Sequence, residues 1–551
     1  MLRVLMTRQD PRSRIGRVMP PLILVAAVVV GGALTLIESP RWFFYMDDFI
    51  GIQQEGNLLT FAVSPYGGHL SFSSASVWFA ALATFGSDSY TPFLLLAIVA
   101  TALNAVALYV AMGRVAGRWV GACGASWLMF LGPAFHNQLW AQASLSQLAS
   151  VAVMLLALLN SQTRHGLVLM AAVAVLGFGI GGLGVGVGVA FLVLLLMARR
   201  WTTAALGLLI LAMGVIAAYL SARGGSAAPG SGLTAHLLNI PGYMLAAVQE
   251  TLRVGLGATA EMAGALTVAG IAACAWGIRL ALSRPSAVAS RLLAASLSYL
   301  LTTWFLTGLI RGLPEEVAAP RYVGVTAPLV AVAIVSSLTL LSESSPRSTE
   351  AASRGLPRAA MVAVSVTLIA AAAANGATWI QARKNSDYLG ALNTARLTAI
   401  HAGSDWIAWD FAPQGEGLTY VRAGAIEAAW SRHGLPPLTP AAIKDSGYVT
   451  DAAAAFLTTA VEAGVVQFNA ASVPEPSACT SDLLVRGRDT QRVLFTLVAP
   501  DQQINLAVSG LPDVSVPLNA GLAEGVAEVR PLKGFGPIRL QATDGCLQLQ
   551  P

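Results

Sequence analysis

The chain has 551 residues, 55% of them hydrophobic and 11% charged, with a formal net charge of +5 and a mean hydropathy of +0.66. Soluble domains carry about 25% charged residues, so the composition excludes an ordinary soluble enzyme and points to a chain that crosses a membrane many times. The excess of Arg lies between apolar runs, which argues for membrane orientation and against nucleic-acid binding.

The chain opens with Arg3, Arg8, Arg12, Arg14 and Arg17, followed by an apolar run over 20–37. That run is long for a signal peptide and no small-x-small cleavage site follows it, so a retained anchor with a cytoplasmic N-terminus is expected. A long loop over 39–76 comes next. It begins Arg41-Trp42-Phe43-Phe44-Tyr45-Met46-Asp47-Asp48-Phe49-Ile50, two adjacent carboxylates among five aromatics. Carboxylates near a bilayer are costly unless they face a cavity, a partner or water. Residues 72–85 at the end of the loop read as an amphipathic helix on the membrane or a further short span.

At about 20 apolar residues per span, further crossings are predicted near 92–112, 117–132, 143–160, 166–182, 183–198, 203–220, 263–282, 292–310, 322–341 and 359–379, about eleven in all. The inner segments of that topology collect most of the Arg residues between spans, including Arg114, Arg118, Arg199, Arg200, Arg284 and Arg291. The outer loops before Trp379 hold only Arg41, Arg223, Arg253, Arg311 and Arg321. This is the asymmetry of the positive-inside rule. Gly177, Gly179 and Gly182 formally match GxGxxG, but they sit in unbroken apolar sequence, where close helix packing or a tight turn explains them better than a nucleotide.

After Trp379 the chain turns polar, and about 170 residues form an external domain of ordinary size. Its first part, over 380–478, reads as helical, with Thr439-Pro440 as a helix start. Over 479–551, short alternating runs near 493–498, 504–508, 514–517, 525–529 and 538–541 predict a small β-sandwich. Cys479 and Cys546 bracket this region, and in an oxidising compartment a disulfide between them is expected. The whole reads as a polytopic α-helical membrane protein over 1–379 with a C-terminal extracytoplasmic α+β domain.

Candidate residues gather on the predicted outer face. Arg321 opens a span after a loop holding Glu315 and Glu316, and suits a phosphate because guanidinium binds it bidentately. Tyr322 can assist as a donor or anchor the interface; Arg321 can equally snorkel or pair with the glutamates. His69 can orient a substrate or serve structure. The second outer loop offers His136, Asn137 and Trp140, amides and a flat indole that suit a sugar, although Trp is also a routine interfacial anchor.

The order of these parts resembles the GT-C membrane glycosyltransferases. The acidic pair in Met46-Asp47-Asp48-Phe49 matches their first-loop Asp-Asp or Asp-Glu, and Tyr66-Gly67-Gly68-His69-Leu70 is similar to the Gly-His element of some bacterial members. The Ala/Gly/Val-rich composition and β-rich tail resemble actinobacterial cell-wall arabinosyl- or mannosyltransferases. The resemblance, which covers roughly 20–379, implies a polyprenyl-phosphate sugar donor, a cell-envelope glycan, glycolipid or protein acceptor, membrane lipids as surroundings and no cofactor. It assigns Asp47 as general base and Asp48 a supporting role. The residue types agree, because Asp is ionised at neutral pH and consecutive side chains diverge, so the two carboxylates do different work. The second outer loop has no Asp or Glu, which argues against a metal held from there. Solvated or helix-capping carboxylates are the structural alternative. A transporter or flippase of lipid-linked sugars, or a non-catalytic assembly partner, are the functional ones.

Overall fold

A computed structural model describes residues 11–53, 72–159, 161–180, 183–205, 207–208, 212, 233–311, 320–344, 356–418, 420–436, 438–471, 479–487, 489–500, 502–512 and 514–550. The chain divides into two compact units. One takes Met1–Glu38, Gly56–Ala80 and Phe93–Arg383; the other takes Ser39–Glu55, Ala81–Pro92 and Lys384–Pro551. The start of the first loop therefore belongs with the polar C-terminal segment.

The first, helical unit is built from α1 (Pro11–Glu38), most of α3 (Phe72–Phe85) and α4 (Thr91–Ala116), then α5 (Arg118–Met129), α6 (Phe135–Leu139), α7 (Ala141–Leu145), α8 (Leu148–Leu158), α9 (Arg164–Phe178), α10 (Gly184–Met197), α11 (Leu233–Leu256), α12 (Ala260–Ser283), α13 (Val288–Arg311) and α14 (Pro320–Glu343). The first part of α15 (Arg358–Ala402) completes it. Among the described residues seven helices are long and apolar enough to cross a membrane: 16–38, 91–116, 141–158, 260–283, 288–309, 322–343 and α15. Three shorter apolar helices, α3, α9 and α10, accompany them.

The structure departs from the sequence-based expectation in three places. The run over 117–132 yields only α5, because Gly132-Pro133 ends it and Gly132 lies so close to the Trp379 backbone that a Cβ there would sit 2.4 Å from its nitrogen. The glycine run separates two helices of 15 and 14 residues, each only about 21–23 Å long. Its glycines bring them together, since a Cβ at Gly177 would meet Val187 at 2.7 Å. Helix α11 arises where no element is predicted from the sequence; Pro241 and scattered polar residues break its apolar signal. The predicted span over 203–220 lies largely outside the described residues.

The second, mixed unit contains α2 (Asp47–Gln53), α15 from Lys384 on, α16 (Ala423–His433), α17 (Pro440–Lys444) and α18 (Val449–Glu462), followed by eight strands. Thr439 caps α17 by accepting from the Ala442 amide, with Pro440 in the first turn. One antiparallel sheet orders β1 (Val466–Asn469), β6 (Glu524–Val529), β3 (Gln491–Leu497) and β8 (Gly545–Leu549). The other orders β2 (Asp482–Val485), β7 (Ile538–Ala542), β4 (Gln503–Val508) and β5 (Val516–Asn519). The first starts at Val466, ahead of the residues where strands are predicted; β2 and β8 are also additions, each too short to show a clear alternation. Inward residues of both sheets, such as Val493, Phe495, Ile504 and Leu540, share one core with Phe456 of α18. Cys479 and Cys546 are joined as a disulfide, 67 residues apart in sequence.

Candidate active site

The acidic pair stands at a turn whose shape is dictated by aromatic burial. Trp42, Phe43, Phe44 and Tyr45 are all buried, and Phe44 meets the Tyr90 ring edge-on at 5.0 Å. Met46, the residue before the pair, has φ of +45°. A non-glycine residue adopts that conformation only where its surroundings enforce it. Here the Met46 amide donates to the Gly417 carbonyl at 2.8 Å and the Tyr45 hydroxyl donates to Glu416 Oε1 at 3.1 Å. Gly417 is required for the approach, for its φ is +84° and a Cβ would lie 2.3 Å from the Tyr45 ring.

Asp48 is fully buried. Its Oδ2 accepts from the Tyr45 amide and from the Tyr90 hydroxyl, both at 3.3 Å, while its own amide donates to the Tyr45 carbonyl at 3.0 Å. Reaching back three residues to a backbone amide is one half of a capping box, and it supplies a hydrogen bond that a buried carboxylate needs. Asp48 therefore locks the first turn of α2. Asp47 begins that helix; its side chain lies outside the described residues.

The same unit grips both ends of this segment. Upstream, the Arg41 amide and Nη1 each donate to Asp387 at 2.9 Å, and Nη2 donates to the Asp445 carbonyl. Nearby, burial and then the Asp387 carboxylate raise the Tyr448 phenol above its ordinary value. Downstream, Gln53 Nε2 donates to the Tyr420 carbonyl at 2.7 Å, and Gln53 Oε1 accepts from the Arg422 amide at 3.0 Å. Tyr90 is carried by a loop whose Ser87 donates through its amide and hydroxyl to the carbonyls of His433 and Gly434. Sequence reasoning missed Tyr90, Asp387, Glu416 and Gly417. Tyr45 and Glu416 are 371 positions apart, so no local pattern links them.

The other predicted residues belong to the helical unit. Arg321 and Tyr322 lie in the first turn of α14; the Arg321 side chain, like His69, lies outside the described residues. Asn137 is buried: its Nδ2 donates to the Ala143 carbonyl at 2.8 Å and to Ser146 Oγ at 3.0 Å, and its Oδ1 accepts from the Gly324 amide at 3.2 Å. Asn104 donates to the Gly324 carbonyl at 3.1 Å, so the amide and the carbonyl of one residue of α14 are both held by side chains. Asn137 thus works on the helix that carries Arg321 and Tyr322. Trp140 is also buried, edge-on to His136 at 5.9 Å, and is no open platform for a sugar. Among the described residues no three His, Cys, Asp or Glu side chains are placed to share a metal ion.

No family model, characterised protein or solved structure matches this chain.

Proposed function

We propose that the protein is a membrane glycosyltransferase of the GT-C type. It moves a sugar from a polyprenyl-phosphate donor to a cell-envelope glycan, glycolipid or protein acceptor on the extracytoplasmic face, with inversion at the anomeric carbon. The observation that supports this reading best is the acidic turn. An energetically costly backbone at Met46, a buried Asp48 and clamps from Glu416, Gly417 and Tyr90 all serve to fix where α2 begins, which is where Asp47 stands. Strain of this kind persists mainly at functional sites.

In the proposed reaction Asp47 takes the proton of the acceptor hydroxyl as its oxygen bonds to the anomeric carbon. The bond from that carbon to the phosphate oxygen breaks, and the polyprenyl phosphate leaves with the electron pair. Arg321 and Tyr322 bind the departing phosphate. Asp48 acts as a positioning residue. The reading includes about eleven spans, a cytoplasmic N-terminus and an extracytoplasmic mixed unit.

A transporter of lipid-linked sugars would place ionisable groups at mid-membrane. The buried network formed by Thr101, Asn104, Asn137, Gln147 and Ser150 is instead neutral, and its members bond to one another. The test is turnover by the purified protein against a panel of polyprenyl-phosphate pentoses and hexoses. Transfer from at least one is expected, and transport of such lipids without any transfer would overturn the reading.

A further inference from the structure

The mixed unit contains a cavity of about 200 Å³ lined by Arg396, Gln414, Gly415, Thr458, Thr459 and Glu462. It is smaller than the ~300 Å³ at which ligand pockets usually begin, so it suits a single ring and not a lipid-linked donor. Its walls offer a guanidinium, a carboxamide, the Thr458 hydroxyl and a carboxylate, while the Thr459 hydroxyl donates to the Ala455 carbonyl at 2.9 Å. Sugar hydroxyls donate and accept at once, so they need donors and acceptors side by side, as here. A phosphate would be repelled by Glu462, and an acyl chain would meet polar walls.

The cavity wall continues into the acidic turn. Arg396 lies against Gly415, where a Cβ would come within 2.6 Å of Nη1. Arg396 Nη1 donates to Asn393 Oδ1 at 2.9 Å, and Asn393 Nδ2 donates to the Glu416 carbonyl at 2.9 Å. Glu416 and Gly417 in turn hold Tyr45 and Met46. We propose that the cavity is a saccharide subsite that takes one sugar ring of the acceptor chain, at a distance from the reacting hydroxyl, and steadies the turn at which α2 begins. The acceptor role rests on the glycosyltransferase reading.

Thr458 and Glu462 are exposed, so they can be changed without opening the core. The experiment measures binding of an α-linked mannohexaose and an arabinofuranohexaose to the full-length protein in detergent, with no donor present. Wild type is expected to bind at least one, and the Thr458→Val/Glu462→Gln double variant to bind it about tenfold more weakly, the scale of one or two lost hydrogen bonds. In turnover the variant should raise KM for the hexasaccharide while leaving kcat, and KM for a single-sugar acceptor, unchanged. Equal affinity in the variant, or no binding of either probe to wild type, would overturn the subsite. Because binding is read without donor, absent transfer beside intact, variant-sensitive binding counts against the glycosyltransferase reading and leaves the saccharide site supported.

Discussion

Two adjacent aspartates open one short helix. Asp48 is buried and committed to hydrogen bonds that hold its own helix, whereas Asp47 is the first residue of that helix. The sequence says of the pair only that neighbouring side chains diverge. That Asp48 is buried and accepts from Tyr90, 42 positions away, was not legible. Tyr90→Phe removes one donor to Asp48 while keeping the ring contact with Phe44. It should cost about 1 kcal/mol of stability, read by thermal melting, and should lower kcat more than it raises KM. A variant with full kcat would remove Tyr90 from the positioning of the turn.

At the scale of elements, the turn over 45–48 and the segment over 415–417 form one device. Gly417→Ala forces a Cβ into the Tyr45 ring at a positive φ, and should destabilise the mixed unit by about 1–3 kcal/mol with a larger loss in turnover than in folded yield. Elements of the helical unit were legible wherever an apolar run is continuous, as in α4, α12 and α14. They were lost where tertiary contact decides the outcome. Helix α5 stops at Met129, just ahead of Gly132, which packs on the Trp379 backbone, and α11 forms despite Pro241. Asn137, chosen from sequence as a substrate-binding residue, holds the α14 backbone at Gly324. Asn137→Ala leaves that amide without its side-chain acceptor and should cost about 1–3 kcal/mol, visible as a lower melting temperature in detergent. An unchanged melt would show that α14 does not depend on it.

Over the whole molecule, the apolar helices and the paired cysteines were legible because each is a property of composition along the chain. The division into units was not. Residues 39–55 and 81–92 join the C-terminal unit through bonds such as Arg41 to Asp387, 346 positions apart. The disulfide closes 67 residues of β-rich chain, so replacing both cysteines by Ser should destabilise that unit by about 4 kcal/mol. Reduction should lower its melting temperature to match. The proposed orientation also makes a prediction: Val498→Cys, at an 81% exposed position, should react with a membrane-impermeant maleimide in intact cells, and Arg284→Cys only after permeabilisation. The reverse pattern would invert the topology and remove Asp47 from the extracytoplasmic face. The most direct measurement for the account as a whole is the single-turnover rate of sugar transfer from a polyprenyl-phosphate donor by wild type and by Asp47→Asn at equal donor occupancy. The account predicts a fall of about 10²- to 10⁴-fold, as for loss of a general base; a rate equal to wild type would contradict it.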